Sequence, residues 1–216
     1  MLTFLLTGFE PFDGAADNPS RRLVLAMAGA PPPPGTRVVA EILPVSYAHT
    51  GEALRAAVRR HAPDVVIGTG LAGGRAGISV ERIAINIDDA RIPDNLGEQR
   101  IDAPVEPDGP AAYFSTLPIK AVAAAMRAAG VPAQVSQTAG TFLCNHVFYR
   151  ACHIAATERR DMRAGFLHLP WLPEQATMHP GEPSMALDSL LTGLRAAIEA
   201  TRDHPRDLHV AGGAVS

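Results

Sequence analysis

The sequence predicts an α/β fold around a largely parallel central sheet. Apolar runs of strand length alternate with stretches of helical period along most of the chain. Two helical stretches are preceded by serine, and a third opens on Asn18-Pro19, a capping residue followed by a proline at the first helical position. The 216 residues, 47% of them hydrophobic and 19% charged, suit one domain with a substantial core.

In chain order, Leu2 to Phe9 is a buried first strand, and a helix begins at Asn18-Pro19. Pro31 to Gly35 is a stiff polyproline connection leading to a second strand, Arg37 to Leu43. Ser46 precedes an apolar-periodic stretch ending at His61, and Asp64 to Gly68 is the third strand. Between Ile78 and Ile87 the alternation changes phase: Ile78 and Val80 share one face, while Ile83, Ile85 and Ile87 share the other. A bulge or bend near Glu81 and Arg82 would reconcile the two halves. Asp88 to Tyr113 is polar, proline-rich and without period, longer than a compact domain leaves structureless, and suits a lid, a subunit contact or both. Helices are expected after Thr116 and Gly140, strands at Ala133 to Gln137 and Ala164 to Leu169, and a last helix from Ser184 to about Thr201. The expected division is one α/β domain over residues 1–202 and a frayed tail over residues 203–216.

Charge excludes some partners. The net charge is −3 and basic residues form no block longer than pairs such as Arg59-Arg60, so neither nucleic acid nor an anionic membrane surface is an expected partner. The first nine residues lack the basic flank of a signal peptide and are too short an apolar run to span a bilayer. The two cysteines, Cys144 and Cys152, fall within one expected helix, a poor disulfide framework, and suggest a cytoplasmic chain with reduced thiols.

Three constellations carry possible chemistry. Gly68-Thr69-Gly70-Leu71-Ala72-Gly73 spells G-x-G-x-x-G after a strand. A dinucleotide site needs a helix to open on those glycines, and the residues from Gly77 to Ile87 are instead rich in β-branched side chains at strand spacing. A turn is expected in place of that helix, either plain or close to a small ligand, and no cofactor. Cys144 falls where a strand ends and a helix begins, where helix N–H groups favour a thiolate; a small buried hydrophobe is the alternative. Among the eight histidines, His168 interrupts an apolar strand at its carboxyl end, where open α/β sheets place ligands, although a hydrogen-bonded core histidine would read the same way. Glu81, at the phase break, is either an orienting carboxylate for such a base or an exposed edge residue. Phe9 and Phe12 bracket a turn after the first strand and either flank a planar ligand or plug the core. Cys144, His146, Cys152 and His153 match no metal-ligand spacing, and no metal is expected.

Several blocks occur together in one order and spacing: Leu5 to Phe12 with Asn18-Pro19-Ser20, Ala72 to Arg75 with Glu81 to Asn86, Ala90 to Asn95, Gly109 to Tyr113, Thr138 to His146, and Gly165 to Pro170. From Leu2 to about Leu194 the chain closely resembles the pyroglutamyl peptidase type I family, cysteine exopeptidases also called pyrrolidone-carboxylate peptidases. The resemblance implies a three-layer α/β/α sandwich, no cofactor, and a homotetramer acting on peptides with an N-terminal pyroglutamate. It also implies Cys144 as nucleophile, His168 as base and Glu81 as the residue orienting it. Phe9 and Phe12 would flank the substrate ring with Asn18, Ile92 and Phe142 nearby, and Arg91 would offset developing negative charge. Leu71 departs from the pattern, standing where many members carry glutamine in a Gly-Gln-Ala-Gly-Gly run. A lost hydrogen bond there would cost about 0.5–1.5 kcal/mol of affinity. Two other classes remain open on the residues alone: a nucleotide enzyme using the glycine run, and a silent binder of pyroglutamate.

Overall fold

The computed structural model describes residues 1–213. Its elements are β1 (Leu2–Phe9), α1 (Pro19–Gly29), β2 (Thr36–Leu43), α2 (Thr50–His61), β3 (Val65–Leu71), β4 (Ile78–Glu81), β5 (Ile83–Ile85), β6 (Ala112–Phe114), α3 (Ile119–Ala128), β7 (Ala133–Ser136), α4 (Leu143–Thr157), β8 (Arg163–Leu169), α5 (Pro173–Ala176) and α6 (Leu187–Asp203). Six strands form one sheet in the order β2-β1-β3-β8-β4-β7. The first four are parallel, as expected for strands joined by helical crossovers. β4 runs antiparallel to β8 and carries β7 with it in parallel pairing.

Alternating side chains along the strands feed two cores. Phe4 and Leu6 of β1, Val65 and Ile67 of β3, and Leu167 and Leu169 of β8 pack under α1, α3 and α6. Leu5, Phe9, Val66, Ala164 and Phe166 point the other way, under α2 and α4. Helices therefore cover both faces, which is why the buried strands read as nearly continuous apolar runs. The side of the sheet beneath α4 also carries the polar residues of interest.

The element starts are set by local chemistry. Asn18 caps α1 as its sequence predicts, its side chain accepting from Ser20 N at 3.0 Å, with Pro19 at the first position. Ser46 does not cap α2: the chain makes one turn there, with Ser46 O accepting from Thr50 N at 2.9 Å, and the helix starts at Thr50. Within the stretch after Asp203, Asp207 is engaged with the body of the fold. Asp207 Oδ1 accepts from Lys120 N and Ala121 N, both at 3.0 Å, and so caps α3 from a distance in sequence that local reading cannot see. The remainder of the expected tail, residues 214–216, lies outside the described residues.

The phase change after Ile78 is resolved by a change of sheet rather than a bulge. β4 ends at Glu81, and β5 pairs with β6 in a separate two-stranded antiparallel sheet. The stretch from Asp88 to Tyr113 is organised by buried polar side chains in place of regular structure. Asp88 is fully buried, bridges Ala103 through its backbone, and accepts from His146 Nδ1 at 2.9 Å and Arg100 Nη1 at 3.1 Å. Asp94 accepts from the backbone N–H groups of Tyr47, Leu96 and Glu98. A segment without period is thus ordered by a few side chains that satisfy its backbone.

Candidate active site

The first part of the apparent nucleotide motif is strand, and the expected turn comes at its end, at Gly73-Gly74. β3 continues through Gly68 and Gly70 to Leu71, and the next element is another strand. The glycines make room for side chains. A Cβ on Gly70 would lie 2.5 Å from Cys144 Sγ, and one on Gly73 would lie 2.6 Å from Trp171 Nε1. A Cβ on Gly68 would likewise meet the Phe166 ring.

That absence of a side chain at Gly70 builds the site. Cys144 stands in the first turn of α4, with Phe142 as N-cap, and its sulfur rests over Gly70. Gly70 in turn faces His168 in the parallel register of β3 and β8. On the other side of β8, Ser79 of β4 faces His168 in the antiparallel register, so Glu81 lies on the same face two residues along, within diagonal reach. His168 Nδ1–H donates to Glu81 Oε1 at 2.8 Å, which leaves Nε2 as the basic nitrogen. Arg75 Nη1 donates to the same oxygen at 2.6 Å and reaches Thr138 O through Nη2 at 3.3 Å. Glu81 is fully buried and His168 3% exposed, so the charge on Glu81 is compensated where water cannot do it. Among the described residues no hydrogen bond joins the thiol to the imidazole, whose Nδ1 is taken by Glu81.

Burial pushes the Cys144 thiol up to about 12, the neighbouring Glu81 charge adding to the effect and Arg75 opposing it. Its place in the first turn of α4 acts the other way, since helix N–H groups favour a thiolate. Burial also lowers the pKa of His168 below its ordinary value, Arg75 working in the same direction and Glu81 against both. Burial thus works against charge on both members of the pair.

In front of Cys144 and His168 is a cavity of about 170 Å³ lined by Phe9, Phe12, Asn18, Leu71 and Phe142, five residues that the sequence already marks. Val45, Leu143 and the loop Ala139-Gly140-Thr141 complete it, so that Cys144 and His168 are its ionisable groups. Asn18 is committed to its own neighbourhood, donating to Glu10 O at 3.1 Å as well as capping α1. Arg91 and Ile92 do not line the cavity. Arg91 is exposed, because the backbone at Asp89 is tied to Thr141 and Ala90 turns inward, leaving the next side chain outside. Local reading misses Arg75; its only signal is a lone cation in the glycine-rich connection between β3 and β4, six residues before the buried acid that it pairs with. Among the described residues no group of three or more histidine, cysteine or acidic side chains gathers as a metal site, and no helix is long and apolar enough to cross a membrane.

Comparison with known proteins decides the family. The sequence profile described as pyroglutamyl peptidase matches residues 2–204. The chain belongs to the pyroglutamyl peptidase family. It is 52% identical over 214 residues to the pyrrolidone-carboxylate peptidase of Escherichia fergusonii, covering 99% of both chains. It is 51% identical over 213 residues to pyrrolidone-carboxylate peptidase 1 of Ralstonia nicotianae, again covering 99% of both. The crystal structure of Bacillus amyloliquefaciens pyroglutamyl peptidase I superposes with a TM-score of 0.92 at 41% identity, covering 96% of this chain and all of that one. As in those pyroglutamyl peptidase structures, a mostly parallel sheet lies between helical layers.

Proposed function

We propose that this chain is a cysteine exopeptidase that hydrolyses the amide bond after an N-terminal pyroglutamyl residue. The observation that carries the reading is a thiol beside a histidine–glutamate pair, opening onto an uncharged apolar cavity, in a chain of this family. A pyroglutamyl group carries no ammonium, so a cavity lined by Phe9, Phe12 and Phe142 suits its flat ring better than a charged pocket would.

Burial works against charge on either group, so attack and proton transfer are coupled. As Cys144 Sγ bonds to the pyroglutamyl carbonyl carbon, its proton passes to His168 Nε2, and the imidazolium is stabilised by Glu81. The C–N bond then breaks and His168 gives that proton to the departing amine, leaving a thioester. Water attacks the thioester while His168 accepts its proton, and the proton returns to sulfur as pyroglutamate leaves. The uncapped N–H groups in the first turn of α4 suit the transient oxyanion. Arg91 is too exposed for that role. Leu71 brings no hydrogen bond to the ring, and ring recognition rests on shape at that wall.

The assembly follows the family resemblance: a homotetramer, for which the exposed Leu96, Ile101 and Phe114 offer apolar surface. The free Cys144 and Cys152 suit a reducing, cytoplasmic setting. The test is release of a chromogenic amine from its pyroglutamyl amide by the wild type, by Cys144→Ser and after iodoacetamide treatment. Turnover lost in both treated forms is the expected result; turnover retained by Cys144→Ser would overturn the assignment of the nucleophile.

A further inference from the structure

The cavity beside Cys144 is small, and the residues that wall it on one side, Phe12 and Leu71, also line a second depression of about 520 Å³. Its opposite wall is Trp171, whose ring lies flat against that of His179 with centroids 4.1 Å apart and planes 12° from parallel. Trp171 is fixed in place from two directions. Gly73 has no side chain where the indole sits, and the indole N–H donates to Glu182. Met178, 80% exposed, stands at the rim. Asp13, Asp17 and Glu174 also line it with Arg22, which pairs with Asp17 and Glu174; Arg21 reaches Asp17 as well, so the three carboxylates face two guanidinium groups.

We infer that this groove receives the residue following pyroglutamate and gives the enzyme a preference for large apolar side chains there and against acidic ones. The inference rests on the function proposed above. The acyl half of the substrate fills the small cavity, and the amine half must leave on the His168 side, since His168 supplies its proton. Leu71 directly follows Gly70, the residue facing His168, and Trp171 lies three residues beyond His168 itself. A chain departing past the imidazole therefore meets Leu71 and then the Trp171–His179 platform. A flat, immobilised apolar surface rewards an aromatic or aliphatic side chain at little ordering cost. The surplus of carboxylates beyond it repels a second carboxylate.

The test compares kcat/KM on pyroglutamyl tripeptides differing only at the second position, phenylalanine, glycine or aspartate, for the wild type, Trp171→Ala, His179→Ala and Met178→Ser. The wild type is expected to favour phenylalanine over glycine by about tenfold and to place aspartate last. His179→Ala and Trp171→Ala should bring the phenylalanine-to-glycine ratio toward one, with a smaller fall in Met178→Ser. The ratio is internal to each preparation, so a partly folded Trp171→Ala does not distort it, and the two exposed-side variants stand if that one does not fold. Turnover with a ratio near one in the wild type, or a ratio unchanged in all the variants, would overturn the groove and leave the peptidase intact. A folded, reduced protein that cleaves no pyroglutamyl substrate would overturn both.

Discussion

Gly70→Ala should disable the enzyme by the width of one methyl group. The position has an ordinary negative φ, so alanine is conformationally acceptable in β3 and the effect is confined to space. The added Cβ would sit 2.5 Å from Cys144 Sγ and 3.0 Å from Phe166 Cζ. Phe166 is fully buried in a packed core and cannot retreat, whereas the sulfur borders the cavity. Restoring an ordinary separation of 3.4 Å or more moves the sulfur by about 1 Å. A displacement of that size at the proposed nucleophile costs about 100-fold in rate, or about 2.7 kcal/mol of transition-state stabilisation. Overpacking should take a further 1–3 kcal/mol or so from folding stability, which thermal unfolding will separate from the catalytic loss. The assay is kcat/KM on a chromogenic pyroglutamyl amide with the melting temperature of the same sample. A well-folded variant within about threefold of the wild type would refute the claim that Gly70 exists to seat the thiol.

The same groups set further expectations. In the proposed mechanism His168 must be neutral to accept the thiol proton, and its pKa lies below the ordinary value, so activity should hold from neutral pH down past about 6.5 and fall only below it; an acid limb above neutrality would contradict this. With the Cys144 thiol held up to about 12, the wild type should show no ultraviolet thiolate absorbance from Cys144 near neutral pH. Arg75→Gln removes a charge that lowers both His168 and Cys144, so the acid limb should move to higher pH while kcat falls; an unchanged pH profile would show Arg75 to be merely structural. Asp207→Ala uncaps α3 and should lower stability by about 1 kcal/mol and the melting temperature by roughly 2–4 °C, with turnover per folded molecule unchanged.

What the sequence reveals depends on how local the cause is. β1 and β8 are legible because continuous apolar runs have few other uses, and α1 because Asn18-Pro19 states its own start. The end of β3 is hidden because glycine reads as a turn, and only the partners Cys144 and Trp171 reveal that the missing side chains are spaces already filled. The phase shift at Glu81 is visible, but its resolution as a change of sheet depends on β6, a three-residue strand in a stretch without period. Cys144, His168 and Glu81 are individually ambiguous in sequence, since burial and function leave the same trace. What the sequence does not show is the register that brings Gly70, His168 and Ser79 side by side and so gathers the three on one face of the sheet. Ser46 and Asp207 show the complementary limit, a capping residue type that does not cap its helix and a remote acid that does.

The first turn of a helix is ordinarily the part that opens first, since its N–H groups lack intrahelical partners. Cys144 occupies that turn, yet its neighbour Asn145 is fully buried and holds three backbone groups of another segment: its Oδ1 accepts from Ile85 N, and its Nδ2 donates to Ile85 O and Ile87 O. One amide side chain thus acts as a short length of strand edge and rivets the start of α4 to the small sheet. Amide exchange at Ile85 and through the beginning of α4 should report a common opening event, slow and shared with β5, so that the thiol is displaced only when a second sheet comes apart with it.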